Sequence, residues 1–234
     1  MKSLEMNSRN TIPAQQYFEN KAILAIVATI GVIFGIGGIA HGIFEVLQGN
    51  TATNGLVIDA IGEHQRMWVH GYEPAFTIIP NFLITGIAAI TVGIAIIIWS
   101  VGFMHTKHAS TIFLSLFILL FLVGGGIAQI LFFMIGWGMS TRLHKPLDWW
   151  RKRVPEGFRS SIAKLWSPSL VVGSFLILFT LQIAIFGYVP GIPDPDKASM
   201  AMVIMPGAGL LLLILAFVFG CAYDSGKGGA SDAQ

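Results

Sequence analysis

Six residues in one stretch of the chain carry the side chains best suited to chemistry: His41, Glu45, Glu63, His64, His70 and Glu73. Imidazole and carboxylate groups suit zinc, iron or copper, and two histidines at matching depth could ligate a haem iron. His41 and Glu45 are four residues apart and meet on one face of a helix, while His64 and His70 fall in the connection that follows. The candidate metal ligands are therefore His41, Glu45, His64 and His70, with a transition metal or haem as the group they would hold. The set lacks the fixed spacing of His-Glu-x-x-His or of paired cysteines. The competing reading is that interfacial His and Glu side chains face headgroups or pair with Arg66. His144 joins the same face only if the apolar run before it crosses the membrane. His105 and His108, flanking Lys107, are expected to meet water. No nucleophile elbow, phosphate loop or zinc spacing occurs elsewhere, so no catalytic residue is assigned.

A second group is polar but uncharged. Thr77, Asn81 and Thr85 recur at spacings of four around Pro80, and Gln129 and Gln182 stand alone in apolar surroundings. They could line a permeation path; the plainer reading is interhelical hydrogen bonds worth about 0.6 kcal/mol each. A third feature is the stripe Gly31, Gly35, Gly38 and Gly42, whose spacings of 4, 3 and 4 place bare backbone on one helical face. Such a stripe admits a close helix neighbour. The expected partner is a second helix carrying Ala89 and Gly93, or another copy of the chain.

The elements that must position these residues follow from hydropathy. The 234-residue chain is 54% hydrophobic and 11% charged, against about 25% charged in an ordinary soluble domain. Uncharged runs cover 22–44, 74–106, 108–141, 165–193 and 198–223, and each exceeds the roughly 20 residues that span a bilayer as a helix. The first run is too long for a signal-peptide core and is read as a retained helix. The fold class expected is all-α: a polytopic transmembrane helical bundle with five membrane helices at about 22–47, 74–101, 110–138, 168–188 and 199–222. Helix two is placed behind Glu73-Pro74 because proline suits a first helical turn. Between helices three and four, Phe158, Ile162, Leu165 and Trp166 alternate with Arg159 and Lys164 as an amphipathic interfacial segment does. A polar N-terminal tail occupies 1–20, with a short interfacial helix expected around Thr11 to Phe18. One transmembrane domain fills 21–223, and a disordered tail follows from 224 to 234.

Loop cations set the orientation of such a chain. Seven of them lie between Arg142 and Lys164, which places loop 139–167 and the C-terminus in the cytoplasm. Five crossings then put the N-terminus outside, although the cations flanking helix one favour the reverse. A re-entrant hairpin bent at Gly124-Gly125-Gly126 would reconcile the two. A single crossing is preferred, because glycines in membrane helices more often mark close packing. Helices two to five carry no Asp, Glu, Lys or Arg, which disfavours an ion-coupled transporter with a charged midplane site.

The function expected is that of a small non-enzymatic integral membrane protein of the cell (inner) membrane, either an accessory or assembly subunit or a passive conduit. The alternative is a membrane redox, metal- or haem-binding protein built on the His/Glu cluster. Expected partners are the lipid bilayer and other membrane subunits, or self-association through Gly31, Gly35, Gly38 and Gly42. The net charge of +2 and its concentration in one loop report orientation rather than nucleic-acid binding.

Overall fold

The computed structural model describes residues 20–227. The N-terminal tail with its expected short helix, and the tail from 228 onward, lie outside the described residues. In chain order the elements are α1 (Lys21–Leu47), β1 (Val57–Asp59), a 3-10 turn (Glu63–Gln65), β2 (Pro74–Thr77), α2 (Phe82–Gly102), α3 (Ala109–Leu122), β3 (Val123–Gly126), α4 (Gln129–Ser140), α5 (Asp148–Arg153), α6 (Glu156–Ala163), α7 (Trp166–Phe186) and α8 (Pro195–Lys227). The protein is mostly helical. Among the described residues four helical segments are long and apolar enough to cross a membrane, namely α1, α2, α8 and the stretch in which α6 runs on into α7.

α1 is the central post. Its uncharged run has no proline to interrupt it, and Ile23, Ile26, Val27 and Ile30 are essentially inaccessible. α2 packs antiparallel along it through the glycine stripe. A Cβ built on Gly35 would stand 2.8 Å from the Gly93 carbonyl oxygen, and one on Gly42 would stand 2.6 Å from that of Gly86. Gly31 faces Ser100 and Gly38 faces Leu120, so all four stripe positions are covered from within the chain. α7 and α8 form a second close pair, in which Gly173 and Gly209 each approach the other's carbonyl.

The run 108–141 does not form one crossing helix. It breaks into α3 and α4, joined by the extended β3. At 14 and 12 residues each half reaches only about 20 Å. Gly124 adopts φ +113°, open only to glycine. The backbone groups released by the break are taken up inside the protein. β3 pairs with β2, Ile127 N–H donates to the Pro74 carbonyl (3.0 Å), and the Thr85 hydroxyl donates to the Val123 carbonyl (2.8 Å). α4 then returns to the end that α3 left: the Ser110 hydroxyl reaches the Ser140 carbonyl, and Asn20 at the start of α1 holds the carbonyls of Arg142 and Lys145. The fivefold arrangement with chain ends on opposite sides is thus replaced by four long apolar helices and a folded-back pair. The start of α1 and the end of α8 share one end of the bundle, here the proximal end, where Asp224 bonds the first turn of α1.

Three boundaries also differ from expectation. Pro74 opens a strand, not a helix, because Ile79 precedes Pro80, whose ring disfavours helical backbone at the residue before it. α2 starts only after Asn81, which caps it by accepting from Ile84 N–H at 3.1 Å. A three-stranded antiparallel sheet, ordered β1-β2-β3, therefore covers the distal end of the bundle. α8 begins at Pro195, with the Asp194 side chain accepting from Asp196 N–H, and continues through Lys227 beyond the predicted end of helix five. α7 begins at Trp166 without a side-chain cap, so Ser167-Pro168 lies inside its first turn.

Candidate functional site

The apex of the folded-back pair lies against the one helical turn of α1 that carries His41 and Glu45. Both are buried, with 5% and 0% of their surface exposed. A Cβ on Gly124 would fall 2.6 Å from a Glu45 carboxylate oxygen, and one on Gly126 would fall 2.7 Å from His41 Nε2. Glycine at these positions is what lets the apex reach the two side chains. Neither Glu45 oxygen has a hydrogen-bond partner, nor has His41 Nδ1. Burying such groups without partners costs about 1–3 kcal/mol apiece.

His41 also faces a cavity of about 240 Å³ between α1, α4, α7 and α8. Its walls are mainly apolar, with Phe34 and Phe132 tilted at 38° and 4.9 Å between ring centroids. Its polar groups are His41, Glu73, Gln129 and Thr180. The Gln129 Oε1 atom is buried without a partner. Pro206 sits inside α8 and has no N–H for the Met202 carbonyl; both residues line the cavity. Among the described residues no lysine or arginine does. Glu73 stands at the distal rim, where it also lines a smaller adjoining cleft beside His41. Burial pushes its carboxyl up to about 7.

The nearby basic side chains are already engaged. Arg66 lies 3.2 Å from Asp59 and over the ring of Tyr72, and His70 Nε2 lies 2.9 Å from Asp196 Oδ1. Among the described residues Glu73 has no ion pair. The distal loop is tied across to α7 by Trp68, whose indole N–H donates to the Ala184 carbonyl at 3.0 Å. The same ring packs on Gly187, which ends α7 with φ +64°.

Of the four candidate ligands, His41 and Glu45 share the buried turn of α1. His64 is exposed in the 3-10 turn, and His70 turns to Asp196. Among the described residues no three His, Cys, Asp or Glu side chains converge as a metal set. His144 lies at the proximal end, beside the carbonyls that Asn20 binds. The polar residues that could have lined a permeation path separate as well. Thr77 and Thr85 bond each other at 2.6 Å, Asn81 caps α2 and bonds Asn50, and only Gln129 faces the cavity.

Phe34, Phe132 and Thr180 line the cavity without having stood out in the sequence, since an aromatic or threonine in an apolar helix reads equally as packing. The arrangement defines a helical protein with a partly enclosed apolar chamber and a polar distal end. No family model matches this chain, and no curated protein and no solved structure shows significant similarity to it.

Proposed function

We propose that the protein is a non-enzymatic integral membrane protein that holds a small, mostly apolar molecule in the chamber between α1, α4, α7 and α8. The observation that carries this reading is the chamber itself: about 240 Å³, walled by aliphatic and aromatic side chains, with a few polar groups gathered at one end. That combination is the general form of a small-molecule site, and helix bundles are a usual place for one. His41, Gln129 and Thr180 orient the polar end of the ligand, and the two phenylalanines hold its apolar body.

In the bilayer the proximal end faces the cytoplasm. Among the described residues only Arg66 and Lys197 of the cations belong to the distal end; Lys107 and the seven from Arg142 to Lys164 lie proximally. α6, which buries none of its residues and exposes Phe158, runs on into α7 beside the end of α8 and so sets Arg159 at the level of the cytoplasmic headgroups.

The test is photolabelling in lipid nanodiscs with a benzyl diazirine. Adducts are expected on Phe132, Ile177 and Met202, and Thr180→Phe, which fills the chamber, should abolish them. Equal labelling of lipid-facing residues such as Phe175 and Val203, unaffected by Thr180→Phe, would overturn the reading.

A further inference from the structure

We propose that the chamber selects an organic cation, an apolar amine or quaternary ammonium whose charge lies at the distal rim against the Glu73 carboxylate. This rests on the chamber being a ligand site at all, and adds the chemical class of the ligand.

The argument is one of unmet charge. The titratable groups on the walls are His41 from α1 and Glu73 from the segment before β2; α4, α7, α8 and β3 contribute none. Glu45 lies on the turn of α1 beyond His41, against Gly124. At the rim, His70 and Asp196 are spent on each other and Arg66 on Asp59. An anion would therefore meet carboxylate and no cation. A neutral molecule would leave Glu73 to be neutralised by a proton alone and would gain nothing from its charge. A cation supplies the missing charge, and the partial negative charge of Gln129 Oε1, buried without a donor, favours it as well. The phenylalanine pair, packed ring on ring, leaves the apolar body of such a cation a wall of matching character. Because burial holds the Glu73 carboxyl near 7, binding of a permanent cation displaces a proton and strengthens as pH rises through that value.

The experiment measures displacement of the benzyl diazirine label from the full-length protein in nanodiscs. The displacing probes are benzyltrimethylammonium, its uncharged isostere neopentylbenzene, and phenylacetate. At pH 8 the cation should compete at least about tenfold better than the isostere, the order of one partly screened contact with a carboxylate, with phenylacetate weakest. Moving from pH 8 to pH 6 should weaken the cation alone. Glu73→Gln should remove the advantage of the cation over the isostere at both pH values and Glu73→Asp should keep part of it, monodisperse elution of both variants in detergent showing that they are folded. Neopentylbenzene or phenylacetate competing as well as the cation at both pH values would overturn the inference and leave the chamber a ligand site. Failure of all three to displace label would overturn the chamber reading and the inference with it.

Discussion

The hydroxyl of Ser110 donates to the carbonyl oxygen of Ser140 at 2.7 Å, across 30 residues of uncharged chain. The two ends of that segment therefore lie at the same end of the bundle, and Lys107 and Lys145, just outside them, must share a side of the membrane. In a Cys221→Ala background, single cysteines at Lys107 and Lys145 should both resist a membrane-impermeant maleimide in intact cells, and one at Ala52 or Lys197 should react. All four positions are exposed. Opposite behaviour of the Lys107 and Lys145 probes would restore a fifth crossing.

The contact between α1 and α2 is backbone against backbone at Gly42 and Gly86. Gly42→Leu has no space to enter without parting the helices, and overpacking of this kind typically costs about 1–3 kcal/mol. Thermal unfolding in detergent should show the loss. Gly138→Leu is the control, since nothing lies within 4 Å of a Cβ there, and it should unfold as the unaltered protein does.

The sequence made α1 plain because an unbroken uncharged run leaves a membrane helix no alternative. It could not distinguish a crossing at 108–141 from a fold-back, because glycines that pack a helix and glycines that break one look alike. What separates them is β2, the partner that takes up the freed backbone, and β2 was itself hidden behind Pro74, which suits the start of a helix as well as a strand. The candidate site was legible only in part for a similar reason. His41 and Glu45 are fixed as neighbours by helical spacing, whereas His70 finds Asp196 at a separation of 126 residues. Glu73, Gln129 and Thr180 reach one chamber from three elements that only the tertiary fold brings together.

Glu45 is wholly buried and neither of its oxygens has a partner. A side chain of similar size without polar atoms should suit the same space better, since a buried group without a hydrogen bond costs about 1–3 kcal/mol. Glu45→Met is expected to raise the unfolding temperature, and Glu45→Gln to change it less. A fall with Met would mean that the carboxyl makes a bond that holds the apex of the folded-back pair.

Burial raises the Glu73 carboxyl from 4.5 to about 7, so between those values the folded protein keeps a proton that the unfolded chain releases. Stability from this group is complete below about 4.5 and is lost as pH climbs to 7. Melting temperatures of the unaltered protein and of Glu73→Gln should thus diverge across this range, the variant losing less stability as pH increases. Parallel curves would mean that Glu73 is solvated.

Asp224 spans the proximal end of the bundle, its two carboxylate oxygens each 3.1 Å from a backbone nitrogen, those of Ala22 and Ile23. These N–H groups belong to the first turn of α1 and have no carbonyl within their own helix. The residue placed to cap them, Asn20, is occupied otherwise: its side chain donates to the carbonyls of Arg142 and Lys145. α1 is therefore capped by α8, and the negative charge also suits the positive end of the helix dipole. Removing the carboxylate should cost what loss of an N-cap costs, about 0.5–2 kcal/mol, and the cost should appear as weaker docking of α8 as well as a looser start of α1. Asp224→Ala is expected to lower thermal stability in detergent and to speed amide exchange at Ala22 and Ile23. Asp224→Asn, which keeps one acceptor, should do about half as much. Truncation after Ala222, where hydropathy alone would end the last helix, should match the alanine variant or exceed it; a truncated protein as stable as the full chain would show that α1 needs no cap from α8.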